Sequence, residues 1–300
     1  MERKPLLLDV DTGVDDAMAI ALALKLEGHE LRAVTTVAGN VPLAHTTANT
    51  LRVLEWLGRS DVPVYRGMSA PLALPLYTAG EVHGNDGIGG WALPEPGVAV
   101  QPLTAPEAIV RFAREHAGRA VFAFVGPLTN LAVALLLEPE LPQMVSRLVI
   151  MGGAFFGRGN VTPEAEFNIF VDPDAAALVA SAGFNATWIG LDVTHQTALD
   201  RASWQELEGS GDLGGALVRE VCRRAFERRG RPEVYLHDPL AVAVVEDPTL
   251  VELRVGEVIV ETSALHRGRT RLAFGDGERA GAAAAVDQER FEALFKRVYT

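Results

Sequence analysis

The sequence predicts an α/β protein: an open, mostly parallel, Rossmann-like sheet flanked by helices, with a small β-hairpin and helical additions in the C-terminal third. Two observations carry this prediction. Short apolar runs alternate with segments of helical periodicity, the rhythm of successive βαβ units. Several of those runs are near-continuous Val, Leu, Ile and Phe, as strands buried on both faces of a parallel sheet require.

Strands are expected at Pro5–Val10, Leu31–Ala38, Val62–Tyr65, Ala120–Val125, Leu148–Met151 and Ala186–Leu191. The first helix follows from Ala17, Ile20, Ala21 and Leu24, which share one face at helical spacing. Further helices are expected at Ala44–Leu57, Pro106–His116, Pro127–Leu137 and Asp174–Ala182. In the last third, a helix around Leu217–Glu227 leads to His237-Asp238-Pro239 and another helix. Alternation at Glu257–Glu261 and Arg269–Phe274 predicts the hairpin, and Gln288–Tyr299 closes the chain as a helix. With no repeat, low-complexity tract or linker, 1–300 reads as a single domain.

Composition narrows the function. Hydrophobic residues make up 48% of the 300 and charged residues 22%, a globular balance that excludes gross disorder. Net charge is −12, which disfavours nucleic acid and other polyanions as partners. Arg223, Arg224, Arg228, Arg229 and Arg231 cluster, but Glu227 and Glu233 interleave with them, so they read as a solvated helix face. The lone Cys222 excludes an intrachain disulfide and a cysteine zinc cluster, and reads as a buried structural thiol. The apolar stretch before Asp9 is too short for a signal peptide, and no segment is long and apolar enough to span a membrane. A cytoplasmic protein is expected.

In an open parallel sheet, ligands bind beyond the carboxyl ends of the strands, and that is where the unusual polar residues fall. Asp9, Asp11, Asp15 and Asp16 follow the first strand, and Gly39-Asn40 the second. His83-Gly84-Asn85-Asp86-Gly87-Ile88-Gly89-Gly90 comes after the third. Gly126-Pro127-Leu128-Thr129-Asn130 follows the fourth, and Gly152-Gly153, then Asn160, Glu166 and Asn168, follow the fifth.

Acids at a helix N-terminus complement its dipole and cap free N–H groups, which accounts for one or two of the four aspartates. Four within eight residues repel one another unless a cation neutralises them. An oxygen-rich set without cysteine or paired histidines suits Ca²⁺ or Mg²⁺ rather than zinc. Asn160, Glu164, Glu166 and Asn168 form a polar patch fitted either to sugar hydroxyls or to a surface loop. The Gly-rich stretch after His83 lacks the spacing of a phosphate loop and reads as a lid over substrate. Asp192 and His195 follow a strand and read as a turn; Asp172 and Asp174 around Pro173 read as helix caps.

Assembled, these residues resemble the inosine-uridine-preferring nucleoside hydrolase family over almost the full length. Asp9-Val10-Asp11-Thr12-Gly13-Val14-Asp15-Asp16 stands where the family has its DxDxGxDD signature, with Thr12 at a position often filled by Pro. Ala38-Gly39-Asn40, His83-Gly84, Val125 to Asn130, Met151-Gly152-Gly153, Glu166-Phe167-Asn168 and His237-Asp238-Pro239 match in order. The resemblance implies calcium-dependent hydrolysis of the N-glycosidic bond of ribonucleosides. It implies Ca²⁺ held by Asp11, Asp16, Asp238 and the Val125 carbonyl, with Asp11 activating a water on the ion. Asp15, Asn40, Asn160, Glu166 and Asn168 are the implied ribose contacts. His237 resembles the residue that protonates the leaving base, and His83 one that lines the nucleobase pocket. A homodimer or homotetramer is also implied.

Two rivals remain at this stage. The Asp9-Val10-Asp11 opening resembles a haloacid-dehalogenase-type phosphatase, but Gly13 stands where that motif wants Thr or Val. Of Lys4, Lys25 and Lys296, none has a context fitting a phosphate ligand. A non-catalytic nucleoside- or sugar-binding protein would keep the metal site without turnover. Base selectivity is expected to lie in residues 76–91 and 223–237, which carry no readable code.

Overall fold

The computed structural model describes residues 2–274 and 280–299. Eleven strands are described: β1 Lys4–Val10, β2 His29–Thr36, β3 Val64–Arg66, β4 Ala120–Phe124, β5 Val145–Met151, β6 Ala186–Ile189, β7 Ala198–Asp200, β8 Glu233–Tyr235, β9 Val251–Val260, β10 Thr270–Ala273 and β11 Ala280–Val286. Nine form one sheet in the order β10-β9-β11-β6-β5-β4-β1-β2-β3, and β7 pairs with β8 in a small antiparallel sheet. From β11 to β3 neighbours run parallel, while β9 and β10 are antiparallel.

β1 shows why the sheet is packed on both sides. Leu6, Leu8 and Val10 face one apolar layer, shared with the helices Val14–Leu24, Leu213–Arg223 and His237–Glu246. Leu7 faces the other, with Phe122, Phe124 and the helices Ala105–Glu115, Thr129–Leu137 and Pro173–Ser181. All of Leu6–Val10 is buried, so the run needs no polar alternation.

Connections from β1 run outward through β2 to β3, and the chain then returns to place β4 on the other side of β1. The order therefore reverses between β1 and β4, where their carboxyl ends open a crevice. Asp11 leaves β1 there and Val125 leaves β4 there.

The six expected strands and the main helices form within a few residues of their expected bounds. Four features differ. The expected strand to Leu191 ends at Ile189, because Gly190 starts the short helix Leu191–Thr194. The C-terminal hairpin β9–β10 is an extension of the main sheet, joined to it through β11. β11 is Ala-Gly-Ala-Ala-Ala-Ala-Val, a composition favouring helix on propensity. It is a strand because β6 and β9 pair with it on both sides and the layers close over Ala282 and Ala283. The helix expected at Leu217–Glu227 spans Leu213–Arg223 and passes into a π-helical turn at Arg224–Arg228.

Candidate active site

The turn after β1 is closed by one of its own aspartates. The Asp16 carboxylate accepts from the Asp11 N–H at 3.0 Å and the Gly13 N–H at 2.7 Å, so capping accounts for part of the acidic run. Asp11 accepts from the Asn40 backbone N–H at 2.7 Å. Its carboxylate lies in a cradle that excludes side chains. A Cβ on Gly39 would stand 2.1 Å from Asp11 Oδ2, and one on Gly126 3.0 Å from Oδ1. Behind it, Asp9 is fully buried and accepts from the Thr35 hydroxyl at 2.5 Å and Asn130 Nδ2 at 2.7 Å.

Asp238 joins from far along the chain, in the first turn of His237–Glu246. Among the described residues, carboxylate oxygens of Asp15, Asp16 and Asp238 lie within 4.8 Å of one another, and Asp11 adjoins the set. Burial raises the carboxyls of Asp15 and Asp16 to about 6. Burial, then the neighbouring carboxylates, push Asp11 and Asp238 well above the usual range. Asp15 Oδ1 is buried without a hydrogen-bond partner. An all-oxygen donor set, mutually repelling and with an unanswered buried oxygen, fits a hard divalent cation. The Val125 carbonyl, expected in that set, accepts from Asn168 Nδ2 at 2.8 Å and keeps its second lone pair.

Glu166 is pinned by three N–H donors, those of Gly153, Asn168 and Ile169, at 3.0, 2.8 and 3.2 Å. Burial raises its carboxyl to about 7. The Asn168 side chain spends its NH₂ on the carbonyls of Val125 and Met151, which ties β4 to β5. His83, at the end of a short helix, is buried, and its Nδ1 accepts from the Val14 N–H at 3.1 Å. Burial lowers His83 to about 4 and His237 to about 3.

A cavity of about 800 Å³ opens onto this cluster. Every expected site residue except Asp16 lines it, including Asn160, His83 and His237; Asp16 is fully buried just behind. Both segments expected to set base selectivity contribute to its wall, through Tyr77 and Gly89 and through Arg224 and Val234.

Other expectations need correction. Arg224, Arg229 and Arg231 line the cavity rather than forming only a solvated face, because the π-helical turn and the approach to β8 swing them toward it. Glu164 does not line the cavity with Asn160, Glu166 and Asn168, and pairs with His266 Nδ1 at 2.7 Å and Arg269 at 3.4 Å. Asp192 does more than turn the chain: it accepts from the N–H groups of Phe155 and Phe156. His195 and Tyr235, not among the expected site residues, also line the cavity. The signals were the place of His195 just after a strand, read as a turn, and that of Tyr235 within the 223–237 segment expected to bear on base selectivity. Asp172 caps its helix as expected and also accepts from Thr129 Oγ1 and the Leu72 N–H.

Comparison with known proteins agrees with this geometry. A family model described as inosine-uridine preferring nucleoside hydrolase matches residues 6–293. The pyrimidine-specific ribonucleoside hydrolase RihA of Citrobacter koseri is 39% identical over 297 residues, 95% of this chain and 94% of its own. A plant nucleoside hydrolase, the PpNRh1 enzyme, superposes with a TM-score of 0.94 at 32% identity over 100% of both chains. A purine-preferring ribonucleoside hydrolase from Gardnerella vaginalis gives a TM-score of 0.92 at 34% identity, over 99% of this chain and 98% of its own.

Proposed function

The chain belongs to the inosine-uridine preferring nucleoside hydrolase family and is a ribonucleoside N-glycosyl hydrolase, and from that premise we propose a calcium-dependent enzyme acting on pyrimidine ribonucleosides. The observation that carries the metal assignment is the convergence of Asp15, Asp16 and Asp238 from opposite ends of the chain. The base preference rests on the pyrimidine-specific relatives at 39–40% identity.

Asp11, Asp16, Asp238 and the Val125 carbonyl are the proposed calcium ligands. Bound there, calcium supplies positive charge that acidifies a water and orients the ribose hydroxyls. Asp11 is the base that takes the water's proton. Burial beside Asp16 makes its carboxylate a stronger acceptor than a solvated one, and the Asn40 N–H holds one oxygen while the other stays available. Asp15, Asn40, Asn160, Glu166 and Asn168 contact the ribose, and the carboxylates among them stabilise the oxocarbenium-like sugar. His83 borders the nucleobase. His237 donates to the departing base, whose nitrogen takes the electron pair of the broken C1′–N bond.

We place residues 1–300 in one domain, supported by β1 and β11 lying in one sheet. A homodimer or homotetramer in the cytoplasm is part of the proposal. Net charge of −12 argues against nucleic-acid partners, and among the described residues no helix is long and apolar enough to cross a membrane. The deciding assay measures free ribose from uridine, cytidine, inosine and adenosine, with and without a calcium-selective chelator. Ribose released fastest from uridine and cytidine, lost with chelator and restored by calcium, is the expected result. Chelator-insensitive turnover overturns the metal assignment, and preference for inosine overturns the base.

A further inference from the structure

His237 stands at the cavity with one ring nitrogen already committed. Its Nδ1 lies 2.7 Å from the Thr194 hydroxyl. Thr194 is fully buried, so bulk water does not compete for that contact. Nε2 is the nitrogen that remains for a nucleobase. We propose that Thr194 is the positioning residue of the leaving-group step: it holds Nδ1, fixes the plane of the ring and commits Nε2 to the departing base. This rests on the reading of His237 as the leaving-group donor.

A hydroxyl suits the task because it both donates and accepts. In the proposed arrangement it donates to Nδ1, so the neutral ring carries its one N–H at Nε2, facing the base. A carboxylate there would accept only. In the step, the C1′–N bond breaks with its electron pair going to the base, the Nε2–H donates a hydrogen bond to the charge gathering there, and the base takes its proton from solvent. The water adding at C1′ gives its proton to Asp11, which releases it to solvent.

The backbone around the pair is built to keep this distance. Thr194 ends the helix Leu191–Thr194, whose Asp192 is anchored to Phe155 and Phe156. The Leu236 N–H donates to the Thr197 carbonyl at 3.0 Å. Just beyond, β7 and β8 pair from Ala198 and Tyr235. His195, next to Thr194, meets His237 only as a ring contact, with centroids 5.6 Å apart.

The test compares leaving groups. Uracil departs more easily when it gains a proton or hydrogen bond, whereas 4-nitrophenolate departs from 4-nitrophenyl riboside without one. Against an acid–base contribution of at least ~10²-fold, Thr194→Val should lower kcat on uridine about 20-fold with KM within about twofold. On the aryl riboside its kcat should fall less than about threefold, and Thr194→Ser should recover uridine turnover to within about threefold. Equal losses on both substrates mark a merely structural role and overturn the proposal, as does no loss on uridine. His237→Ala separates the role of His237 from the hold of Thr194 on it. Without a contrast between substrates in His237→Ala, the reading of His237 fails; with that contrast but none in Thr194→Val, the inference alone fails. If Thr194→Val does not fold, Thr194→Ala carries the same comparison.

Discussion

Glu166 is a carboxyl kept from water but surrounded by three N–H donors. Burial outweighs those donors and raises it from the ordinary 4.5 to about 7. Between those values the folded chain binds a proton that the unfolded chain has lost. The protonated group therefore contributes stability below about pH 4.5, and this is lost as pH rises through 7, on the order of 3 kcal/mol in all. Thermal unfolding of the metal-free protein should show Tm falling from pH 5 to pH 7.5, with a shallower fall in Glu166→Gln. Equal slopes would remove Glu166 as a source. Asp11 carries the sharper catalytic prediction. Asp11→Asn keeps the shape of the cradle made by Gly39 and Gly126, so equilibrium binding of uridine should change little. Turnover should fall about 10³-fold, within the range for a general base. Retained turnover would move the base to another carboxylate.

At the scale of elements, the Gly-rich segment after His83 and the end of the helix Leu213–Arg223 form one side of the cavity together. Gly89 has φ +70°, and a Cβ there would stand 2.7 Å from the Val221 carbonyl oxygen. Both facts demand glycine. Gly89→Ala should push the segment away from the helix and widen the site. KM for uridine is expected to rise about tenfold with kcat changed less, since the carboxylates of the acidic cluster are not touched. Steady-state kinetics over a uridine series reads this directly, and an unchanged KM would separate the segment from substrate binding. Elements also show where sequence patterns stop being informative. Buried strands such as Ala120–Phe124 announce themselves by continuous apolar residues, but β11 does not, because its alanines were selected by the closeness of β9 and β6. The π-helical turn at Arg224–Arg228 has no periodicity of its own and turned a seemingly solvated arginine cluster toward the cavity.

For the whole molecule, the proposed cation would link the first strand to the last third of the chain. Asp16 sits in the helix that follows β1 and Asp238 starts a helix more than two hundred residues later, and those two helices pack together. Calcium binding to the folded chain alone should therefore raise global stability, by ~2.7 kcal/mol at a hundred times its Kd. A calcium titration of the chelated protein followed by calorimetry should show Tm rising by about 5 °C on that basis. A Tm independent of calcium would mean that the carboxylates balance their charge by protonation instead.

The α/β class, the six parallel strands and the side chains of the acidic cluster are legible in local residue patterns. Local periodicity encodes buried strands, and a parallel sheet confines ligands to the strand ends, so polar residues placed there could be read as a site. Asn160, Glu166, Asn168 and His237 were legible through the family resemblance. What the tertiary structure decided is which of these meet. Asp15, Asp16 and Asp238 converge, Glu164 turns away to His266, and Arg224, His195 and Tyr235 reach the cavity. The hold of Thr194 on His237 belongs to the same class. Such contacts join residues far apart in the chain, and their distances depend on how strands and helices pack, which no local pattern of residues records.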